Sequence, residues 1–269
     1  MMEETMDGMD IHDEAAFAAY LDRARITGEV GTPRQDNLAH IEGFLAGNEH
    51  LEFGVELTRR WSREEVFGLM VDRVGLHPDP AHAHGQDTIS AERCIAALTR
   101  YARRFGEAVR AGSAILFATG HPAGLFPVYQ HLAGAARRNG ARVVGIEEGI
   151  RFQDGDLRQI NDVVMFQQYG SLAHTHFPEP MRLVLAQLRE SGAPVDFVVA
   201  DHGWAGAAAS VGLPTIGIAD CNDPGLFVSE AQGQLEVAVP MDDNVLPHLY
   251  DPVTEFILDR AGLLVGSAV

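Results

Sequence analysis

Four stretches of this chain combine imidazole, carboxylate and glycine in ways that can do chemistry. Thr119-Gly120-His121-Pro122-Ala123-Gly124 follows the apolar run Ala114-Ile115-Leu116-Phe117, and His174-Thr175-His176 comes shortly after Val163-Val164-Met165-Phe166. Asp201-His202-Gly203-Trp204 follows Phe197-Val198-Val199-Ala200, and Asp220-Cys221-Asn222-Asp223-Pro224 follows Thr215-Ile216-Gly217-Ile218-Ala219. Each reactive group thus stands beyond a run that reads as a buried strand. In a parallel α/β sheet the carboxyl ends of the strands share one rim, and open sheets bind ligands outside it. Residues remote in sequence are therefore expected to meet there as an enzyme site.

The residue types suggest distinct parts in that site. Between a buried strand and an amphipathic helix, free backbone N–H groups and the helix dipole favour an anion. Thr119, Gly120 and Gly124 are thus candidate anion-binding positions; a tight turn with a solvated His121 is the plainer alternative. His174 and His176, two apart, can chelate one ion from an extended loop or face opposite sides of it. An Asp at the end of the most apolar strand is costly if it turns inward unpaired. Asp201 therefore calls for a metal, a cationic neighbour or a protonated role, unless it only caps the helix that follows. Asp220 and Asp223 offer hard oxygen ligands suited to Mg²⁺ or Mn²⁺, or form an Asx-turn ahead of Pro224. Met241-Asp242-Asp243-Asn244 can add carboxylates to the same rim or cap a helix. Arg34 is a candidate anion clamp in an acidic protein, and equally a surface charge.

The elements that must hold these groups alternate along the second half. Strands are expected at 113–119, 142–146, 162–167, 195–200, 214–219 and 234–239, and helices at 124–139, 179–191, 204–211 and 251–261. This alternation implies right-handed βαβ units and a parallel sheet. Residues 14–111 show helical periodicity and no convincing strand. Phe17 and Leu21 mark a first helix, Ile41 and Phe44 a second, and Val66 and Met70 a third behind a Ser62 cap; a fourth runs from Ser90 to about Arg110. The expected fold is therefore α/β, with a Rossmann-like parallel sheet over 112–269. A helical N-terminal region over 14–111 packs across the carboxyl-end rim as a lid, and residues 1–13 form a disordered leader.

Composition narrows the partners. The 269 residues are 46% hydrophobic, enough for a sizeable core, and carry a formal net charge of -18. That charge argues against a nucleic-acid surface, which needs a basic stripe, and against anionic lipid. An anionic small substrate needs a local cation: a metal, an Arg or a helix N-terminus. Cys94 and Cys221 make no disulfide framework, so a cytoplasmic location is expected. No apolar run approaches the roughly 20 residues of a membrane helix, and the acidic start of the chain is no secretory signal. Monomer and homo-oligomer both remain open.

The motifs also carry a resemblance. Thr27-Gly28-Glu29-Val30-Gly31-Thr32-Pro33-Arg34, Gly85-Gln86-Asp87-Thr88-Ile89, Phe117-Ala118-Thr119-Gly120-His121-Pro122, His174-Thr175-His176-Phe177-Pro178-Glu179-Pro180-Met181, Ala200-Asp201-His202-Gly203-Trp204-Ala205-Gly206 and Ala219-Asp220-Cys221-Asn222-Asp223-Pro224 fit one pattern. Over residues 23–258 the chain resembles a bacterial family labelled simply "phosphatase". A shorter stretch, 211–244, is similar to a Rossmann-like small-subunit ribosomal protein; given the acidic charge, this supports local topology alone. The phosphatase resemblance implies a phosphomonoester hydrolase for a small phosphorylated metabolite, with biosynthesis of a nucleoside-type natural product as one setting. Joined to the residue chemistry, it gives a definite expectation. Thr119, Gly120, Gly124 and Arg34 bind the phosphoryl group, and one or two divalent ions (Mg²⁺, Mn²⁺ or Zn²⁺) are held by some of His174, His176, Asp201, Asp220 and Asp223. His121, Asp201 and His202 act in catalysis, with His121 or His202 protonating the leaving alkoxide. A lyase or isomerase on the same rim is the alternative enzyme class, and a metabolite-binding module the non-catalytic one.

Overall fold

Alternation within the apolar runs sets the two faces of the central sheet in the computed structural model, which describes residues 10–264. The leader expected over 1–13 lies outside the described residues as far as residue 9. Asp13 is already structural, its carboxylate capping Ala15 N and Ala16 N at the start of α1 (Glu14–Arg23). The first half continues with β1 (Gly28–Pro33), α2 (Arg34–Leu45), α3 (Arg63–Arg73), β2 (Gln86–Ile89) and α4 (Ala91–Arg110). The second half runs β3 (Ala114–Ala118), α5 (Pro122–Arg138), β4 (Arg142–Val143), β5 (Arg151–Phe152), β6 (Gly155–Ile160), β7 (Val163–Gln168) and β8 (Ser171–Leu172). It ends with α6 (Glu179–Glu190), β9 (Phe197–Asp201), α7 (His202–Ser210), β10 (Thr215–Ala219), α8 (Pro224–Ala231), β11 (Val237–Pro240) and α9 (Asp251–Arg260).

The main sheet has the order β11-β10-β9-β3-β7-β6-β5. From β11 to β7 the pairing is parallel, and β6 and β5 extend it antiparallel. On one edge β3 has two partners: β4 pairs with Ala114 and Ile115, and β7 takes over at Phe117 and Ala118. In β3, Ile115 and Phe117 point into a core shared with α1, α4, α5 and α9, and Leu116 and Ala118 into the opposite core with α6, α7 and α8. The two-residue period of a strand therefore fills both layers from one run. The chain leaves β3 toward β7, then returns to β9 on the other side, so β3 and β9 flank a topological switch point.

The expected helices and the parallel strands are present, with differences that have physical causes. The short helix α8 is buried on every side at Pro224–Ser229, so no polar face marks it in the sequence. The strand β6, Gly-Asp-Leu-Arg-Gln-Ile, is half polar and takes its order from pairing with β7. The first half is not purely helical: β1 and β2 form an antiparallel pair, too short and too rich in Gly and polar residues to announce itself. Nor does the whole N-terminal region cover the rim. The helices α1 and α4 lie on a face of the sheet, with α4 against α1, α9 and β11. The parts that reach the rim are β1, the start of α2 and the segment at His50–Phe53, which contacts His176 and His202. Among the described residues no helix is long and apolar enough to cross a membrane.

A buried ion pair anchors that segment. Arg34, at the start of α2, donates to Asp87 Oδ2 at 2.7 Å, to the His82 carbonyl at 2.9 Å and to the Asp79 carbonyl at 3.1 Å. Both side chains are fully buried. Burial alone would raise the Asp87 carboxyl; Arg34, His77 N, Asn37 and Thr88 N outweigh it and hold the group below its ordinary value. Its contribution is thus present in full above about pH 4, the ordinary carboxylate value, and is lost as acid protonates the folded form. Asp87→Asn leaves Arg34 buried without a counter-charge and is expected to cost about 3–5 kcal/mol. Urea unfolding of the variant and the wild type should show that gap at neutral pH and a narrowing gap below about pH 4.

Candidate functional site

The parallel order brings five loops to one rim. Thr119–His121 leave β3, Asp201 ends β9, Asp220–Asp223 leave β10, Asp242–Asn244 leave β11, and His174–His176 follow the β7–β8 hairpin. His121, His174, His176 and His202 form a contiguous group of imidazoles, with ring centroids 4.3 Å apart for His121 and His174 and 4.5 Å for His176 and His202. His174 lies 5.2 Å from His202. The residues of all four motifs therefore converge.

His202 is the hub. It is the first residue of α7 yet has φ +45°, a left-handed backbone that a non-glycine residue adopts only when its surroundings impose it. The turn aims the ring across the rim. Asp201 makes no capping bond to α7. Instead its Oδ1 accepts from His202 Nδ1 at 2.7 Å and from Gly120 N at 2.7 Å. The cap alternative for Asp201 is thereby replaced by a positioning role. His202 Nε2 faces Asp243 Oδ2 at 3.2 Å and Asp223 Oδ2 at 3.7 Å.

Three of the imidazoles have one nitrogen tied from outside and the other turned inward. His202 Nδ1 is held by Asp201, His176 Nδ1 by the His50 carbonyl at 3.0 Å, and His121 Nε2 by Asn244 Oδ1 at 3.3 Å. Outer-shell bonds of this kind fix ring orientation and tautomer in metal-ligating histidines. Two groups have ligand atoms within 4.8 Å of one another: His121, His174 and His202, and His176, His202 and Asp223. Among the described residues, Asp223 Oδ1, Asp243 Oδ2 and His121 Nδ1 are buried with no aligned hydrogen-bond partner, an arrangement that is costly unless something else binds them.

Charge is concentrated here. Among the described residues, the only ion pairs made by Asp201, Asp220, Asp223, Asp242 and Asp243 are with His121 and His202. Burial pulls the His202 imidazolium down, but Asp223, Asp201 and Asp243 together push it well above its ordinary value. Burial likewise opposes a proton on His121, and the adjacent Asp243 carboxylate outweighs it. Desolvation, aided by repulsion from the neighbouring imidazoles, drives His174 down to about 4 and His176 down to about 2. Burial raises Asp220 well above the usual range, with the other carboxylates adding to the shift, and it moves Asp223 up to about 6 against the pull of His202. Burial acts the same way on Asp243, yet His121 and His202 prevail and hold it low.

Several expected roles need correction. Arg34 is no phosphate clamp: each of its guanidinium nitrogens is engaged in the buried Asp87 network. The anion cradle expected at Thr119, Gly120 and Gly124 is occupied by the protein itself. Gly120 N donates to Asp201, His121 N donates to Thr119 Oγ1 at 2.9 Å, and Gly124 lies against the Asp243 carbonyl. Asp201 stands behind His202 rather than among the ligand-spaced atoms. Asp220 is also outside them, its Oδ2 accepting from Thr32 Oγ1 at 2.8 Å and its Oδ1 from Cys221 N at 2.6 Å. Sequence reasoning underweighted Asp243, which touches both His121 and His202; its place directly after β11 was the available signal. His121 and His202, expected as proton carriers, sit among the ligand-spaced atoms.

Beside His174 and His176 a cavity of about 310 Å³ opens, lined by His50, Gln153, Gln168, Thr175 and Phe177 among others. Glycines bring the surrounding loops together. Gly203 lets α7 approach the His176 carbonyl so closely that a Cβ there would overlap it. Gly203→Ala is therefore expected to destabilise by roughly 1–3 kcal/mol, as overpacking does, and thermal unfolding should show a matching fall in Tm.

Two comparisons bear on this site. A family model described as "Phosphatase" matches residues 12–265. Phosphatase SCO2771 of Streptomyces coelicolor is 47% identical over 252 residues, which cover 93% of this chain and 96% of that protein.

Proposed function

This chain belongs to the Phosphatase family, and on that premise we propose that it hydrolyses a phosphate monoester of a small metabolite with the help of divalent metal. One observation carries the metal dependence: buried aspartates and inward-facing imidazoles crowd one rim with, among the described residues, no arginine as an ion-pair partner. A phosphate dianion entering such a rim meets like charge, and bound cations are what make it habitable. The donor set fits the group. His121, His174, His176, His202 and Asp223 supply nitrogen and oxygen at ligand spacing, and the unpartnered buried atoms of Asp223 and Asp243 point the same way. Such donors suit Mn²⁺ or Zn²⁺. When bound, the ion would neutralise the phosphoryl oxygens and lower the pKa of an attacking water.

The chain's own residues do the rest. Asp201 fixes the ring of His202 through Nδ1 and, through Gly120 N, ties the β3 loop to the β9 loop. Thr32 and Gly31 of β1 hold Asp220 and Asp242 in place, closing one side of the rim. The cavity at His50, Gln153, Gln168 and Phe177 would take the organic part of the substrate, since its volume of about 310 Å³ is at the small end of ligand pockets. Its lining of carboxamides, an aromatic ring and imidazoles suits an uncharged polar group.

Purified protein stripped by a chelator should release no phosphate from a panel of phosphate esters, and Mn²⁺, Zn²⁺ or Mg²⁺ should restore release. Equal turnover with and without chelator would remove the metal from the reading, and no release from any ester under any ion would remove the hydrolase. Asp201→Asn should retain the fold and lose about 10–100-fold in activity or metal affinity, the usual effect of removing an outer-shell partner.

A further inference from the structure

We propose that the cluster is binuclear, with two divalent ions in adjacent half-sites bridged by the carboxylate of Asp243. This rests on the metal-dependent reading above and adds the number of ions and the residue that joins them. The imidazoles fall into two stacked pairs, His121 with His174 at 4.3 Å and 18°, and His176 with His202 at 4.5 Å and 25°. Asp243 lies between the pairs and divides its oxygens: Oδ1 is 3.1 Å from His121 Nδ1, and Oδ2 is 3.2 Å from His202 Nε2.

His202 appears in both ligand-spaced groups, but it cannot serve two ions. Its Nδ1 is bound to Asp201, so Nε2 alone is available. Asp223 Oδ2, 3.7 Å from that Nε2, assigns His202 to the side of His176. His121 and His174 then make the other half-site, with Asp243 Oδ1, 3.1 Å from His121 Nδ1, as its third donor. Atoms that share an ion through bonds of about 2 Å stand roughly 3 Å apart, the separation found on both sides of Asp243. The same contacts are imidazole–carboxylate ion pairs, and among the described residues neither His121 Nδ1 nor Asp243 Oδ2 has an aligned hydrogen-bond partner. Asp243, His121 and His202 are all buried, so an ion held between them would be shielded from water. Its main chain is pinned as well, by the close approach of the Asp243 carbonyl to Gly124. A pair of ions matches an in-line displacement at phosphorus, where the attacking and the leaving oxygen both need stabilising.

The test is metal content, read without turnover. Full-length protein stripped by a chelator and reloaded with Mn²⁺ should hold two ions per chain by elemental analysis, and low-temperature electron paramagnetic resonance should show an exchange-coupled pair. Asp243→Asn should abolish the coupling and halve the metal content. If that variant does not fold by circular dichroism, His174→Ala, at an exposed position, takes its place, with metal content falling toward one ion. One Mn²⁺ per chain in the wild type would overturn the proposal, as would two uncoupled ions, or a folded variant with content and coupling unchanged. Two coupled ions without phosphate release from any ester would leave the binuclear centre standing and remove the hydrolase; release from a one-ion protein would do the reverse.

Discussion

Gathering Asp201, Asp220, Asp223, Asp242 and Asp243 at one buried rim is the constraint on which the structure turns. Like charges withdrawn from water repel strongly and lose hydration, so such a cluster must find cations, accept protons or fall apart. Here the compensation is local and imidazole-based. His202 meets Asp201 with one nitrogen and faces Asp223 and Asp243 with the other, while His121 takes the second oxygen of Asp243. With no arginine among the described residues paired to these acids, the rim holds a standing demand for positive charge that a divalent ion would satisfy.

The fold supplies the positions through the parallel sheet and through close backbone contact. Strand order alone brings the ends of β11, β10, β9, β3 and β7 side by side. The finer placement comes from a strained backbone at His202 and from glycines at 120, 124 and 203, each filled against by the carbonyl of another loop: Thr175, Asp243 and His176 respectively. The glycines of the Thr119–Gly124 motif therefore serve loop packing. From the other side, the buried Arg34–Asp87 pair stiffens the segment whose Thr32 and Gly31 reach the rim acids. Asn37, next to Cys221 at 3.4 Å, links the same network to the β10 loop.

Much of this is legible in the sequence. Strand runs such as Phe197–Asp201 are apolar, bounded and followed by reactive residues, so both the strand and the rim position of its last residue could be read directly. The caps at Ser62 and Ser90 likewise marked α3 and α4. What stayed hidden depended on long-range pairing. The strands β1 and β2 exist because of each other, and β6 because of β7. Arg34 looked like a clamp because nothing in its neighbourhood reveals a counter-charge 53 positions away at Asp87. Whether Asp201 or Asp243 touches a ligand or orients a histidine is a matter of side-chain direction, which spacing does not encode.

The central claim is that the inward nitrogens of these histidines and the carboxylates beside them form an ion-binding centre. Anomalous diffraction from crystals soaked in Mn²⁺, recorded at the manganese edge, tests it most directly. The account predicts anomalous density bounded by His176, His202 Nε2 and Asp223. Manganese found only elsewhere, with His202 Nε2 still directly against Asp243, would contradict it.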